Sequence, residues 1–154
     1  MEADAADDGP ATSDRSSASS EFTKAARPFD RVLLDAPCSG LGVLRRHPEG
    51  KWQKTEEGVA RHAAQQRTLL DRAGRFLRPG GVLVYSTCST EAEENEQVIA
   101  QFLHRHPEFT RESVAPWLPS SGRDLTNTDG EYSTLFSPYD MDGFFAARFR
   151  KAPS

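Results

Sequence analysis

The sequence predicts an α/β fold built around two parallel strands. Apolar runs rich in β-branched residues, at 31–35 and 82–87, are typical of buried strands. Between them, apolar residues recur at spacings of four and three from Val59 to Leu77, which predicts an amphipathic helix. A helical connection between two strands of one sheet makes those strands parallel, with a crossover that is almost always right-handed.

Composition limits the ordered part to one domain. The 154 residues are enough for a single hydrophobic core. Residues 1–27 are predicted to form a disordered, acidic and Ser-rich tail, because this segment is almost free of large apolar side chains. The net charge of −4 resides in that tail, since residues 1–22 carry six acidic groups and one basic group. The remaining chain is near neutral, which neither indicates nor excludes nucleic-acid binding.

Several protein classes are excluded by what the sequence lacks. No run of 18 apolar residues is present, so we expect no membrane span. The acidic start does not resemble a secretory signal peptide, and two cysteines make no disulfide scaffold. Four histidines and two distant cysteines supply no metal-ligand spacing, so no metal site is expected. These features favour a cytoplasmic protein.

The helix and the second strand follow from local signals. The helical pattern begins at Thr55 and stops at Arg78-Pro79-Gly80-Gly81, and the strand 82–87 comes next. Thr90 and Glu93 have capping-box spacing, which predicts the start of a second helix that ends before Pro107.

The last third of the chain gives weaker signals. Residues 110–130 show no regular pattern and are predicted to be irregular. Segments 131–136 and 143–150 are predicted to form a terminal β-hairpin, with a turn through Pro138 and Asp142.

Both cysteines follow a predicted strand. Cys38 comes shortly after the strand 31–35, and Cys88 comes directly after the strand 82–87. Because parallel neighbours end at the same edge of a sheet, we expect both thiols to face one crevice, with Asp35 between them. Burial as small hydrophobic residues is the ordinary alternative, but both cysteines lie in loops rather than inside strands. A redox pair ranks lower because CxxC spacing is absent.

Three motifs give the chain a family resemblance over about residues 29–150. The first is FDRVLLDAPCSG at 29–40, followed by RRHP at 45–48 and KW at 51–52. The second is YSTCS at 85–89, followed by ENE at 94–96, and the third is DGFFAA at 142–147. Together they resemble the Sun/Nop/RsmB family of RNA cytosine-5 methyltransferases. The resemblance implies that residues 28–151 are a partial methyltransferase catalytic domain, the C-terminal half of a doubly wound Rossmann-like sheet ending in a β-hairpin.

The resemblance also implies a mechanism. The thiolate of Cys88 would add to C6 of cytosine, so that C5 can attack the methyl group of S-adenosylmethionine. Asp35 would hydrogen-bond the cytosine near N3 and border the cofactor, and Cys38 would assist the final release. DNA cytosine-5 methyltransferases use a Pro-Cys cysteine as nucleophile, which points instead to Cys38.

The substrate implied by the resemblance is RNA of the ribosomal kind. Pro37 would contact it, and the basic loop residues Arg45, Arg46 and Lys51 would meet its phosphates. A solvated loop without RNA contacts is an equal alternative for these basic residues.

One part of the family's pattern is not found in these 154 residues. The glycine-rich loop that holds the cofactor after the first strand of such domains is absent, and Gly40-Leu41-Gly42 does not replace it. The strand 31–35 would then have an open edge at which another chain can associate. Two hypotheses follow: a catalytic half that needs a separate cofactor-binding half, or a non-catalytic remnant that binds RNA or protein.

Overall fold

A computed structural model describes residues 28–46, 48–135, 137 and 139–153. The five strands are β1 (Phe29–Asp35), β2 (Leu77–Thr87), β3 (Phe109–Glu112), β4 (Tyr132–Ser133) and β5 (Phe145–Lys151). The two α-helices are α1 (Glu56–Arg75) and α2 (Glu96–Arg105). Four short 3₁₀ helices lie in the loops, at Leu41–Val43, Pro48–Gln53, Ala115–Trp117 and Ser120–Leu125. The tail predicted at 1–27 lies outside the described residues.

The strands form one sheet in the order β1-β2-β5-β3, with β4 also paired to β5. β1 and β2 are parallel, as the strand–helix–strand pattern predicts, and Asp35 lies opposite Ser86 in their register. β5 runs antiparallel to β2, β3 and β4. β1 is therefore an edge strand, and its carboxyl end lies beside that of β2.

The hydrophobic core lies on one face of the sheet, beneath α1 and α2. Alternate residues of β2 and β5 face this core, among them Leu83, Tyr85 and Phe149. Leu70 of α1 and Phe102 of α2 cover them from above. The opposite face is less covered, and Leu33 of β1 is 69% exposed there. None of the helices in the described ranges combines the length and apolar character needed to cross a membrane.

The first helix matches its sequence signals, but β2 starts earlier than predicted. Thr55 caps α1 by accepting a hydrogen bond from the Gly58 amide at 3.1 Å. Leu77, predicted to be in the helix, instead pairs with Phe29 as the first residue of β2. The register then shifts so that Arg31 pairs with Val82, and this irregularity accommodates the Pro-Gly-Gly segment within the strand.

The capping-box prediction is wrong. Thr90 donates its hydroxyl hydrogen bond to the Glu91 carboxylate at 3.0 Å, and α2 does not begin until Glu96. The intervening turn directs Glu94 and Asn95 into the protein, where both side chains are buried. The predicted end of this helix before Pro107 is confirmed.

The region predicted to be irregular contains β3. It pairs with β5 through residues 109–112, and Glu112 forms ion pairs with Arg148 at 3.0 Å and with Arg150 at 2.5 Å. Four residues are too few for a clear alternating pattern, so the pairing partner determines the strand. The terminal hairpin is present but short, because only Tyr132–Ser133 of its predicted first strand pairs with β5. Part of its predicted turn, at Pro138, lies outside the described residues.

Candidate active site

The carboxyl ends of β1 and β2 bring the two cysteines into contact. Cys38 Sγ and Cys88 Sγ are 3.1 Å apart, although 50 residues separate them in the chain. Both are free thiols and both are half-buried. The Ala36 amide donates to the Ser86 carbonyl at 2.9 Å, which extends the β1–β2 pairing into the loop that carries Cys38. The predicted convergence of the two thiols is confirmed.

The surroundings of Cys38 disfavour its ionised form. Burial, followed by the hydrogen bond with Cys88, raises the pKa of the Cys38 thiol from 9.0 to about 12. Near neutral pH Cys38 therefore keeps its proton, and its S–H group is available to donate to the sulfur of Cys88. A neighbouring hydrogen-bond donor stabilises negative charge on the sulfur that accepts it.

Asp35 ends β1 at the same edge of the sheet. Its carboxylate accepts a hydrogen bond from the Ser86 hydroxyl at 3.0 Å and remains exposed to solvent. An exposed carboxylate beside two thiols can accept a hydrogen bond from a bound base or a ribose hydroxyl.

Glu94 is a site residue that sequence reasoning missed. Its carboxylate is 0% exposed and accepts hydrogen bonds from both cysteine-bearing loops. The donor Ser39 follows Cys38, and the donor Ser89 follows Cys88. The ENE motif at 94–96 contributed to the family resemblance, but four glutamates between 91 and 96 look like a solvated helix start. Nothing in the pattern separates the buried glutamate from its exposed neighbours.

Asn95 stabilises the second loop from the same turn. Its side-chain carbonyl accepts from the Thr87 hydroxyl at 2.5 Å, and its amide donates to the Ser89 carbonyl at 2.9 Å. Thr87 and Ser89 flank Cys88 on either side. The backbone around the thiol is thus held by buried side chains rather than by sheet pairing alone.

Gly42 connects all three sequence motifs. Its amide donates to the Cys88 carbonyl at 3.0 Å, and its carbonyl accepts from the Gly143 amide at 2.7 Å. A Cβ atom at position 42 would lie 2.1 Å from the Gly143 carbonyl oxygen, well inside van der Waals contact. Three segments of backbone cross here at a distance that only glycine permits.

Replacing Gly42 by alanine is expected to lower the free energy of unfolding by about 2–4 kcal/mol, because backbone must move to admit the methyl group. Gly50→Ala is the matched control, since a Cβ there would meet the Leu44 and Lys54 side chains at ordinary distances of 3.7 and 3.8 Å. Urea unfolding of both variants measures the difference. Equal stability of the two variants would contradict the close crossing at Gly42.

The basic loop is largely paired with acidic residues. Arg46 lies 2.5 Å from the Asp142 carboxylate, and Arg45 contacts Asp142 at 3.4 Å and also pairs with Asp140. Lys51 is exposed, with its ammonium 5.8 Å from the Trp52 ring centre. The acidic partners of Arg45 and Arg46 offset charge that the sequence suggested was free for phosphates. Their contact with RNA stays a prediction.

Pro37, predicted to contact substrate, occupies an exposed position directly before Cys38. Its carbonyl accepts a hydrogen bond from the Gln66 side chain at 3.0 Å, which fastens the loop to α1. The carbonyl is thus used to position the loop, while the ring remains accessible from solvent.

Alkaline pH is expected to destabilise the fold. The Cys38 thiol ionises near its ordinary pKa in the unfolded chain but only near about 12 in the folded one. The contribution of this thiol to the free energy of unfolding is therefore fully present below about pH 9 and is lost as the pH rises toward 12. The reason is that the unfolded chain loses the thiol proton at a lower pH than the folded chain. Burial also raises the pKa of Tyr85, which adds a loss of the same sign.

Urea unfolding between about pH 8 and pH 11 measures this dependence. Cys38→Ser removes the titrating thiol, so its stability is expected to fall less steeply above pH 9 than that of the unaltered chain. Identical slopes for the two proteins would contradict the raised pKa of Cys38.

Two features of the described residues bear on a cofactor site. Asp35 offers an exposed carboxylate at the sheet edge. Gly42 packs directly against the Gly143 backbone. The Gly40-Leu41-Gly42 segment therefore leaves no space at Gly42 for a bound cofactor, in line with the expectation that it does not replace the glycine-rich loop. Across the described ranges, no cluster of three or more histidine, cysteine or acidic side chains is arranged to hold a metal ion.

Comparisons with known proteins agree with the three motifs. Residues 11–150 match the family described as 16S rRNA methyltransferase RsmB/F. The chain is 45% identical over 123 residues to the ribosomal RNA small subunit methyltransferase B of Yersinia pseudotuberculosis, covering 80% of this chain and 26% of the relative. The same protein of Yersinia pestis matches equally well. The chain thus spans about a quarter of the length of these curated relatives.

Solved structures give the same fold. NSun6 from Pyrococcus horikoshii, solved with SFG, has a TM-score of 0.68 and 31% identity, covering 87% of this chain and 33% of that one. A methyltransferase homolog protein from Pyrococcus horikoshii has a TM-score of 0.63 and 31% identity, covering 85% and 42% respectively. These matches confirm the predicted Rossmann-like methyltransferase sheet and its C-terminal half. The chain therefore belongs to the RsmB/F family of 16S rRNA methyltransferases.

Proposed function

We propose that this chain carries the catalytic half of an S-adenosylmethionine-dependent RNA cytosine-5 methyltransferase that acts through a covalent Cys88–C6 adduct. The observation that supports this most strongly is the pair of thiols 3.1 Å apart at the carboxyl ends of two parallel strands. Thiols are suited to addition at an electron-poor ring carbon, because the thiolate is intrinsically nucleophilic. The exposed carboxylate of Asp35 ends β1 at the same edge, where it would hydrogen-bond the substrate base.

Cys88 is proposed as the nucleophile and Cys38 as its partner. The two sulfurs are 3.1 Å apart, so the Cys38 thiol can donate a hydrogen bond to the Cys88 sulfur as negative charge develops there. Cys88 adds to C6 of the cytosine, and the electron pair of the C5–C6 bond becomes available at C5. The presence of both cysteines in the family's pattern favours Cys88 over the Pro-Cys alternative, Cys38.

Asp35 and Cys38 are proposed to act on the substrate and on the departing sulfur. Asp35 accepts a hydrogen bond from the ring near N3, which supports protonation there as electrons move into the ring. In the last step the C5 proton passes to a water molecule, the C5–C6 double bond re-forms, and the C6–sulfur bond breaks to leave the Cys88 thiolate. Cys38 donates its S–H hydrogen bond to the Cys88 sulfur as that bond breaks.

The cofactor is proposed to be S-adenosylmethionine, which supplies the methyl group that replaces the proton on C5. The structural relative NSun6 was solved with SFG, an analogue of that cofactor. Asp35 would border the bound molecule. The rest of the site is proposed to come from the part of the relatives that this chain does not span, including the glycine-rich loop.

The substrate is proposed to be ribosomal RNA in the cytoplasm. The family and the Yersinia relatives are described as ribosomal RNA methyltransferases. Pro37 lies at the mouth of the site, and Arg45, Arg46 and Lys51 lie in the loop that follows. Contact with RNA would require phosphates to compete with Asp140 and Asp142 for the two arginines.

The open edge of β1 is proposed to pair with a strand from the cofactor-binding part of such relatives. Within the described ranges β1 pairs with β2 alone, and Leu33 leaves apolar surface exposed along it. About three quarters of the length of these relatives lies beyond this chain, and the pairing strand is proposed to come from that part. Leu33→Lys is expected to weaken association with a separately produced cofactor-binding half. If the unaltered chain instead associates with itself and does not bind that half, this choice of partner is refuted.

Methylation of RNA tests the proposed function. The chain is combined with the preceding part of the Yersinia protein, supplied separately or fused, and incubated with ribosomal RNA and cofactor. 5-Methylcytidine in the nucleoside digest is the expected product. No methylated cytidine from the combined protein, together with RNA binding by this chain alone, would favour the non-catalytic remnant instead.

A further inference from the structure

We propose that Glu94 is a positioning residue whose buried carboxylate clamps the two cysteine-bearing loops and so keeps the thiols in contact. The catalytic role of this clamp rests on the proposed function. Its effect on the position of the two thiols can be tested in this chain alone. Glu94 does not touch either sulfur; it acts through the residues that follow them.

Three separate elements converge on the Glu94 carboxylate. From the first loop, Ser39 donates its amide to Oε1 at 2.8 Å and its hydroxyl to Oε2 at 2.5 Å. From the second loop, the Ser89 hydroxyl donates to Oε2. From α1, Gln66 donates its amide to Oε1 at 3.2 Å. The four donors fill the acceptor capacity of one ionised carboxylate.

The location of Glu94 makes it costly as a purely structural residue. It is 0% exposed, and among the described residues its carboxylate contacts serine and glutamine donors but no basic side chain. Its charge is therefore stabilised by hydrogen-bond donors alone, whereas an apolar side chain of similar size would fill the same space without the cost of desolvation. A buried charge fully surrounded by donors fixes the geometry of the groups that donate to it.

The clamp acts where sheet pairing has ended. The β1–β2 ladder is extended only as far as the Ala36 amide, two residues before Cys38. Beyond that point, Ser39 and Ser89 each lie one residue past a cysteine, and their hydroxyl oxygens are 3.3 Å apart. Gln66 also holds the Pro37 carbonyl at 3.0 Å, so the same network reaches both sides of Cys38. Loss of the carboxylate would free both loops at the thiols.

Phenylarsine oxide is the probe for the distance between the thiols. Its trivalent arsenic forms two As–S bonds with a pair of nearby thiols, the two thiol protons leave with the arsenic-bound oxygen as water, and no oxidant is required. The unaltered chain is expected to bind one equivalent tightly, and Cys38→Ala is expected to lose that chelation. Failure of the unaltered chain to chelate the arsenical would overturn the proposal.

Three substitutions then isolate the clamp. Glu94→Ala is expected to weaken arsenical binding about tenfold or more, since several charge-assisted hydrogen bonds are lost. Glu94→Gln is expected to stay close to the unaltered chain, because its oxygen can accept from the Ser39 amide and Gln66 while its amide donates to the two serine hydroxyls. Glu93→Ala is the matched control, as Glu93 is the exposed neighbour of the same type. Unchanged affinity in a folded Glu94→Ala variant would refute the clamp.

Folding of each variant is checked by circular dichroism. If Glu94→Ala does not fold, the combined Ser39→Ala and Ser89→Ala substitutions decide the matter, since they remove one donor from each loop and leave the carboxylate in place. Weaker chelation by this double variant supports the clamp, and unchanged chelation refutes it. Because chelation does not depend on methyl transfer, failure of the proposed function and failure of the clamp give different results.

Discussion

Replacing Cys88 by alanine is expected to reduce methyl transfer to RNA by about 10⁴-fold or more, because the covalent bond to C6 is proposed to form through this sulfur. Cys38 lies 3.1 Å away, but its proposed role is to assist release rather than to attack C6. The measurement is incorporation of labelled methyl groups into ribosomal RNA by the combined protein.

A matched control for this experiment lies on α1. Thr68 is exposed, and its hydroxyl donates only to the Ala64 carbonyl one turn earlier, at 3.1 Å. Thr68→Ala is expected to leave methyl transfer unchanged. Activity of Cys88→Ala within tenfold of that control would mean that the reaction does not pass through a Cys88 adduct.

Replacing Cys38 by alanine is expected to slow release rather than attack. Cys88 can still add to C6 and methylation can still occur, but the departing sulfur no longer receives a hydrogen bond. Turnover is expected to fall by about 10²–10⁴-fold, the range typical for loss of proton-transfer assistance. A covalent protein–RNA complex with ordinary cytidine should then accumulate, visible as a slowly migrating band under denaturing conditions.

The opposite pattern would identify Cys38 as the nucleophile. In that case Cys38→Ala would form no complex with RNA, and Cys88→Ala would accumulate one. Full turnover by Cys38→Ala without any complex would show that release needs no assistance from this thiol.

The central part of the fold could be predicted because its signals are local and mutually consistent. The helical pattern between the apolar runs 31–35 and 82–87 indicates that these runs are parallel strands of one sheet. Parallel pairing alone places the carboxyl ends of both strands at one edge of the sheet. That topological argument was sufficient to bring Cys38 and Cys88 together across 50 intervening residues. The Thr55 cap of α1 is equally local, and it is confirmed by its bond to the Gly58 amide.

The features that escaped prediction depend on long-range contacts. β3 exists because β5 pairs with it, and four residues carry too little pattern to indicate a strand. Thr90 and Glu93 have the spacing of a capping box, but the turn is determined by Glu94, which reaches Ser39 at a separation of 55 residues. Burial of one glutamate among several cannot be inferred from neighbouring sequence, because its hydrogen-bond donors come from distant parts of the chain.

Gly42 and Gly143 illustrate the same limit in the backbone. Gly42 lies between two parts of the first motif and Gly143 lies in the third, and their close approach becomes evident only when the loops are assembled. The sequence shows three motifs that follow one another along the chain. The structure shows how they are connected, because the segments around Gly42 and Gly143 support the backbone around Cys88.

Identification of the trapped cysteine tests the account most directly. RNA containing 5-fluorocytidine forms an adduct that cannot be released, because fluorine at C5 does not leave as a proton does. Trypsin separates the two cysteines, since cleavage after lysine and arginine places Cys38 in peptide 32–45 and Cys88 in peptide 76–105. Mass spectrometry of the digested complex should find the nucleotide on the peptide with Cys88. Attachment to the peptide with Cys38, or no attachment by an otherwise active protein, would contradict the proposed mechanism.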